Sequence, residues 1–160
     1  MNNCPHCNSY LVLSYKGSND ILLAGDFPSE DDMKRGMPFS GDSGEVLRDE
    51  LSWEGRDMRA CNMAYLWMHY QNKNPDCFEL GLKMLTLEMA GRKVLLMGKE
   101  LCNFFVGGSV TDYAGLEVKS PLFPNSVQFV MIAPNPGICL HTTLGEFRLA
   151  IRKFARRCNE

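Results

Sequence analysis

The sequence lacks any uninterrupted apolar run long enough to cross a bilayer, and its amino terminus carries no basic stretch followed by an apolar one. These absences predict a soluble protein that is not exported, and we expect it in the cytoplasm. Internal repeats, low-complexity stretches and linkers are absent as well. With 160 residues, 45% of them hydrophobic, the chain is expected to form one domain over residues 1–160 around one core.

The sequence also has no excess of positive charge, since its net charge is −2. Non-specific affinity for nucleic acid depends on Lys and Arg side chains that neutralise phosphates, so any contact with DNA must come from a local patch. One candidate patch lies in the last helical segment, which contains Arg148, Arg152, Lys153, Arg156 and Arg157. The alternative is a solvated helix face with cations near its carboxyl end.

Cysteine, in contrast, is abundant, with seven residues. The number is odd, and thiols stay reduced inside the cell, so metal binding or burial is favoured over a disulfide framework. Cys4 and Cys7 form a C-x-x-C pair, which is shared by redox pairs and by half of a zinc site.

Short apolar runs alternate with segments of helical periodicity along most of the chain. Strands are predicted at residues 20–24, 58–65, 93–97 and 127–133, and helices at residues 44–51, 78–90, 100–106 and about 143–157. Thr143 and Glu146 have the spacing of a capping box at the start of the last helix. This order predicts an α/β fold, a three-layer α/β/α domain with a central four-stranded, mainly parallel sheet.

Ligand sites in parallel sheets lie beyond the carboxyl ends of the strands. This rule selects three places: the polar loop at residues 25–41, Asn62 in the second predicted strand, and residues 134–137. The loop follows a core strand directly and is rich in Asp, Pro, Gly and Ser, which favours a site over a plain connection.

Two segments of this loop carry a resemblance to a known family. Residues 25–29, GDFPS, with the acidic residues 30–32 behind them, resemble the G-E-A-P-G-x-x-E-D motif of the iron-sulfur uracil-DNA glycosylases. Residues 36–44, GMPFSGDSG, resemble that family's G-x-P-F-V-G-x-A-G at the expected separation. Downstream, Cys61-Asn62 takes the place of the family's T-N, and residues 135–137, NPG, that of its H-P-S.

The resemblance implies a monofunctional DNA glycosylase that hydrolyses the N-glycosidic bond of uracil, or of a related pyrimidine, after the base is turned into a pocket. Asp26 would position water or offset positive charge on the sugar, and Asn135 would stabilise the charge growing on uracil O2. Phe39 would stack on the base, and the Asn62 amide would read its edge. Gly25 and Phe27 complete the implied base-binding set.

Two departures from the family leave an alternative open. Asp26 is shorter than the family's Glu, and Asn135 replaces a His, so that it can donate a hydrogen bond but cannot bring a positive charge. A catalytically weak or inactive glycosylase-fold protein that binds DNA or takes part in replication is the alternative. Asn62 could instead cap its strand, and Asp26 could be a turn residue.

The resemblance also implies a 4Fe-4S cluster on four cysteines. Cys4 and Cys7 would supply two ligands, and Cys61 and Cys77 have a suitable spacing for the other two. His69 could replace Cys61, in which case a set of three thiolates and one imidazole would favour zinc; a site with no metal is the third alternative. The expected partners are uracil-containing DNA and a repair or replication protein, and the chain is expected to be a monomer.

Overall fold

The computed structural model describes residues 3–139 and 144–160. Its centre is a five-stranded sheet in the order β2-β1-β3-β5-β4. The strands are β1 Ile21–Gly25, β2 Asn62–Tyr65, β3 Lys93–Met97, β4 Glu117–Val118 and β5 Phe129–Ala133. β1, β2, β3 and β5 are parallel, and the short edge strand β4 is antiparallel to β5. The predicted α/β class is therefore confirmed, with one strand more than the four expected.

The four parallel strands end level with one another. Gly25 is aligned with Tyr65 on one side and with Met97 on the other, and Met97 is aligned with Ala133. The side chains and loops that follow these residues therefore meet at a single edge of the sheet, where a parallel sheet is expected to bind its ligand.

Helices cover both faces of the sheet. They are α1 Glu30–Arg35, α2 Asp42–Trp53, α3 Pro75–Met89, α4 Lys99–Phe105, α5 Val110–Tyr113, α6 Pro136–Cys139 and α7 Leu144–Cys158, with a 3-10 turn at Met58–Ala60. None of the helices within the described residues is long and apolar enough to cross a membrane.

Alternate residues of each strand face opposite layers, as the period of two in a strand requires. Leu23 and Leu95 pack with buried residues of α2 and α7, including Phe147 and Phe154. Leu22 and Leu96, one position away, pack with buried residues of α3 and α4. The strands are buried on both faces, which explains their almost continuous apolar sequences.

Two local differences from the predicted elements matter for the site. The second strand begins at Asn62 rather than at residue 58, because Asp57 caps the 3-10 turn that precedes it. α1 lies inside the predicted loop, and its capping box is formed by Ser29 and Asp32. The capping box predicted for Thr143 lies outside the described residues.

Candidate functional site

A cavity of about 250 Å³ lies at the edge where the parallel strands end. Its lining comprises Gly25, Asp26, Phe27, Ser29, Asp32, Phe39, Ser43, Tyr65, Met97, Asn135, Pro136 and Gly137. The two glycine-bordered loop segments and the segment after β5 thus come together around one space. Five of the six residues predicted for the base site line this cavity, and Asn62 does not.

Phe39 and Tyr65 form the aromatic part of the wall. Their ring centroids are 4.9 Å apart, and both side chains are buried. Gly25 must be a glycine here, because a Cβ atom would lie 2.8 Å from Tyr65 Cε1 and 3.0 Å from Phe39 Cζ. The first strand therefore ends without a side chain, and the two rings can close against its backbone.

Phe39 has a left-handed backbone conformation, with φ of 51°, which is uncommon for a residue with a side chain. Its N–H donates a hydrogen bond of 3.0 Å to the Tyr65 hydroxyl oxygen, and this bond helps to hold the conformation. Such conformations persist only where the surroundings over-determine them, and they cluster at binding sites.

Asp32 connects the two loop segments to β2. It is fully buried, and its carboxylate accepts hydrogen bonds from Ser29 N–H, from the backbone and hydroxyl of Ser40, and from the Tyr65 hydroxyl. In the sequence, Asp32 stands out only as part of an acidic run. Its capping-box spacing from Ser29 is the pattern that identifies it.

The Tyr65 hydroxyl stays protonated at any ordinary pH. Burial, followed by the nearby Asp32 charge, raises the pKa of this phenol far above its usual range. The hydroxyl therefore donates to Asp32 and accepts from Phe39 N–H. Its role is structural, because these two hydrogen bonds hold Asp32 and the Phe39 backbone in place in the cavity wall.

Asp26 lines the cavity, directly after β1, and its carboxylate contacts the backbone at the start of α4. Its Oδ1 accepts a hydrogen bond of 2.9 Å from Leu101 N–H, and its Oδ2 accepts one of 3.3 Å from Glu100 N–H. Burial raises the pKa of the Asp26 carboxyl, and these backbone donors offset part of the rise. The lack of a side chain at Gly98 leaves room for the Asp26 carboxylate, since a Cβ at that residue would lie 2.3 Å from Asp26 Oδ2.

Asn135 is half-buried in the cavity wall, two residues after β5 ends at Ala133. Its Oδ1 accepts a hydrogen bond of 2.7 Å from Gly137 N–H. The amide oxygen is therefore engaged within its own turn, and Nδ2 is the group of this side chain that can donate a hydrogen bond.

Asn62 has a different role from the one predicted, and this is a correction. It is the first residue of β2, aligned with Leu22, whereas the strand reaches the cavity at Tyr65. Its Nδ2 donates 2.9 Å hydrogen bonds to Asn19 O and Ile21 O, and its Oδ1 accepts one of 3.0 Å from Gly17 N–H. The amide is saturated by backbone groups at the far end of the strand, as the strand-capping alternative anticipated.

A cluster of potential metal ligands comprises Cys4, Cys7, His69 and Cys77, whose ligand atoms all lie within 4.8 Å of one another. This Cys/His cluster could bind a metal. The prediction of Cys61 as a ligand is wrong, because Cys61 belongs to the core on the α2–α7 side of the sheet, whereas Cys4 and Cys77 belong to the α3–α4 side. The Cys61 thiol instead contacts Asn19 and the carbonyl of Asp57.

The basic face of α7 is largely committed to ion pairs with neighbouring elements. Arg148 pairs with Glu50 at 2.7 Å and Arg152 with Glu54 at 3.3 Å, which links α7 to the end of α2. Arg157 pairs with Glu117 at 3.2 Å. These contacts favour the solvated helix face over the phosphate-binding patch.

Comparison with known proteins adds no family assignment. No model of a protein family matches the chain, and no curated protein is similar to it.

Proposed function

We propose that this protein is a DNA glycosylase that takes an extruded pyrimidine, uracil or a close analogue, into the cavity and hydrolyses its N-glycosidic bond. The observation that carries the proposal is the convergence of residues 25–29, residues 36–44 and Asn135 on one cavity. A glycosidic bond cannot be reached inside a duplex, so an enzyme acting on it needs a pocket for one flipped base.

The size and lining of the cavity suit a single base. Drug-sized ligands occupy pockets of roughly 300–1,000 Å³. The present cavity of about 250 Å³ is smaller and has the Phe39 ring in its wall. Stacking of a base on an aromatic side chain contributes about 1–3 kcal/mol.

The polar groups of the lining suit the charges that develop as the bond breaks. A carboxylate offers about four lone-pair sites, and Asp26 uses two of them on α4, which leaves capacity to hold a water molecule or to offset the sugar cation. Asn135 would donate to the base oxygen as it becomes negative. One such donor is typically worth about 2.7–4 kcal/mol of the barrier.

The position of Asn62 changes the expected selectivity. Without its amide at the cavity, the polar side chain we assign to the base is Asn135, which would bind O2, an oxygen that uracil and cytosine share. We therefore expect weaker discrimination against cytosine than a dedicated amide would give.

A second function, base binding without catalysis, is favoured by one observation. Both oxygens of Asp26 already accept backbone hydrogen bonds from α4, so the carboxylate has a structural role regardless of any reaction.

An oligonucleotide carrying one uracil separates the two functions. Abasic product is measured by alkaline cleavage, and binding by fluorescence anisotropy of the same DNA. The glycosylase proposal expects product from the wild type and from Asp49→Asn, an exposed control on α2, and none from Asp26→Ala. Binding without product in the wild type would support the second function.

The 4Fe-4S cluster implied by the resemblance is not part of this proposal. Such clusters are held by four thiolates, and the Cys/His cluster offers three thiols and one imidazole. No step of the proposed reaction passes through a metal.

A further inference from the structure

The Cys/His cluster brings together three segments that are far apart in sequence. Cys4 and Cys7 come from the amino-terminal loop, His69 follows β2, and Cys77 lies in the first turn of α3. Cys4, His69 and Cys77 are each at most 3% exposed, and Cys7 is half-buried. The site is closed by protein on most sides.

The distances between the ligand atoms fit one small ion. Cys4 Sγ and Cys77 Sγ are 3.7 Å apart, and Cys7 Sγ and His69 Nε2 are 3.4 Å apart. Tetrahedral zinc binds sulfur at about 2.3 Å and nitrogen at about 2.0–2.1 Å, which places two sulfurs about 3.8 Å apart and a sulfur and a nitrogen about 3.5 Å apart. A cubane binds each thiolate through a different iron, so its ligands stand farther apart than those of a single ion.

The orientation of His69 is a second, independent observation. Its Nδ1 lies 2.7 Å from the Tyr70 carbonyl oxygen. A carbonyl oxygen can only accept, so Nδ1 carries the proton, and Nε2 directs its lone pair at the thiols. Histidines that bind metals usually donate their other ring N–H to a carbonyl or carboxylate in this way.

We propose that Cys4, Cys7, His69 and Cys77 bind one zinc ion, with four protein ligands and no open coordination position. Closed four-ligand zinc sites are structural rather than catalytic. The ion would fasten the amino-terminal loop to the segment between β2 and α3, on the α3–α4 side of the sheet.

Metal analysis of the purified wild-type protein tests the assignment. We expect about one zinc per chain, no acid-labile sulfide, and cobalt substitution that yields the intense visible absorption of a tetrahedral thiolate site. About four irons and four sulfides per chain, with broad absorbance near 400 nm, would overturn the proposal. Failure to bind either zinc or cobalt would overturn it equally.

The zinc content of single-residue variants tests which side chains bind the ion. Even an outer-sphere partner of a metal site contributes about 10–100-fold in affinity, so Cys77→Ser should weaken zinc binding by at least that factor. Cys61→Ser is the matched control, a buried cysteine on the opposite side of the sheet, and should keep wild-type zinc content. His69→Cys should retain zinc with a changed cobalt spectrum, which shows a change of ligand without loss of the fold. Zinc lost in Cys61→Ser and kept in Cys77→Ser would refute the assignment.

A fluorescence titration gives a readout within the intact protein. The chain has two tryptophans, and Trp53→Phe removes the exposed one. The remaining Trp67 has its ring centroid 6.4 Å from that of His69, so zinc addition to chelated protein should change its emission with one-to-one stoichiometry. No change would count against the site. Because metal content is measured without DNA, it is tested separately from the reaction proposed for the cavity.

Discussion

The cavity and the Cys/His cluster are held together by different kinds of interaction. At the cavity, Asp32, Tyr65 and the backbone of Phe39 satisfy one another by hydrogen bonds. In the Cys/His cluster, three thiols and an imidazole crowd together, although thiols are weak hydrogen-bond donors and acceptors. The comparison indicates that the cavity is preorganised without a ligand, whereas the cluster would depend on the ion that we propose. Changes at the cavity groups assigned to the reaction should therefore alter activity more than stability, and changes at the cluster should do the reverse.

The largest expected effect on activity is that of Asp26→Asn. A positioned general base contributes about 10²–10⁴-fold to a rate, and we expect a loss of that order in the rate of abasic-site formation. The Asn oxygen can accept only one of the two backbone hydrogen bonds from α4, and its Nδ2 group would face the other donor. We therefore also expect a stability loss of about 1–3 kcal/mol and compare rates at a temperature where both proteins are folded. Activity within threefold of wild type would remove Asp26 from the mechanism.

Metal removal should have the largest effect on stability. A ligand present at 100 times its dissociation constant stabilises the folded state by about 2.7 kcal/mol, so chelation at such zinc levels should lower the free energy of unfolding by that amount. Urea denaturation with and without a chelator measures it, and Cys77→Ser should show the same loss without added chelator. An unchanged transition midpoint in both cases would contradict a structural ion.

Tyr65→Phe should damage the cavity wall. It removes the donor to Asp32 and the acceptor for Phe39 N–H, and an unsatisfied buried polar group costs about 1–3 kcal/mol. We expect a stability loss in that range together with weaker binding of uracil-containing DNA. Tyr113→Phe, on α5 outside the cavity lining, is the control.

Asn62→Ala distinguishes the strand-capping role of Asn62 in the structure from the base-reading role that the sequence predicted. It leaves Gly17 N–H and two backbone carbonyls without their side-chain partner, so stability should fall by about 1–3 kcal/mol. The ratio of rates on uracil and cytosine substrates should stay the same. A selective gain of cytosine cleavage would restore Asn62 to base reading.

The smallest effect we predict is in the pH profile. The proposed reaction uses Asp26 as the carboxylate, and burial raises its pKa above the 3.8 of an ordinary aspartate. The rate should therefore fall as pH decreases through that raised value. Glu100 is the nearby acid whose pKa is also raised, first by burial and then by the Asp26 charge. The Asp26 pKa, in contrast, is set by burial and by its backbone donors, which Glu100→Gln keeps, so this variant should leave the acidic limb in place. A limb that moves in Glu100→Gln would show that Asp26 alone does not set it.

The sequence predicted most of the fold because its strands are apolar runs bounded by Gly, Pro and polar residues. Both errors at the sites arose at β2. The resemblance placed Asn62 at the carboxyl end of this strand, whereas its pairing with β1 shows that it ends at Tyr65, the last residue of the predicted span 58–65. Strand register depends on hydrogen bonding to a neighbour that is distant in sequence, which a local motif does not specify. Because β2 continues for three residues past Asn62, Tyr65 occupies the position at the cavity that was expected for the Asn62 amide. For the same reason His69, which follows the strand, lies beside the thiols, and Cys61 does not.

The most direct test of the central claim is a titration of free uracil into isotope-labelled protein followed by amide NMR. Binding in the cavity predicts shifts for the backbone amides of Gly25, Phe39 and Gly137 and for the Asn135 side-chain amide, with Asn62 unchanged. Shifts at Asn62 and Gly17 without change at Phe39, or no shifts at saturating uracil, would contradict the account.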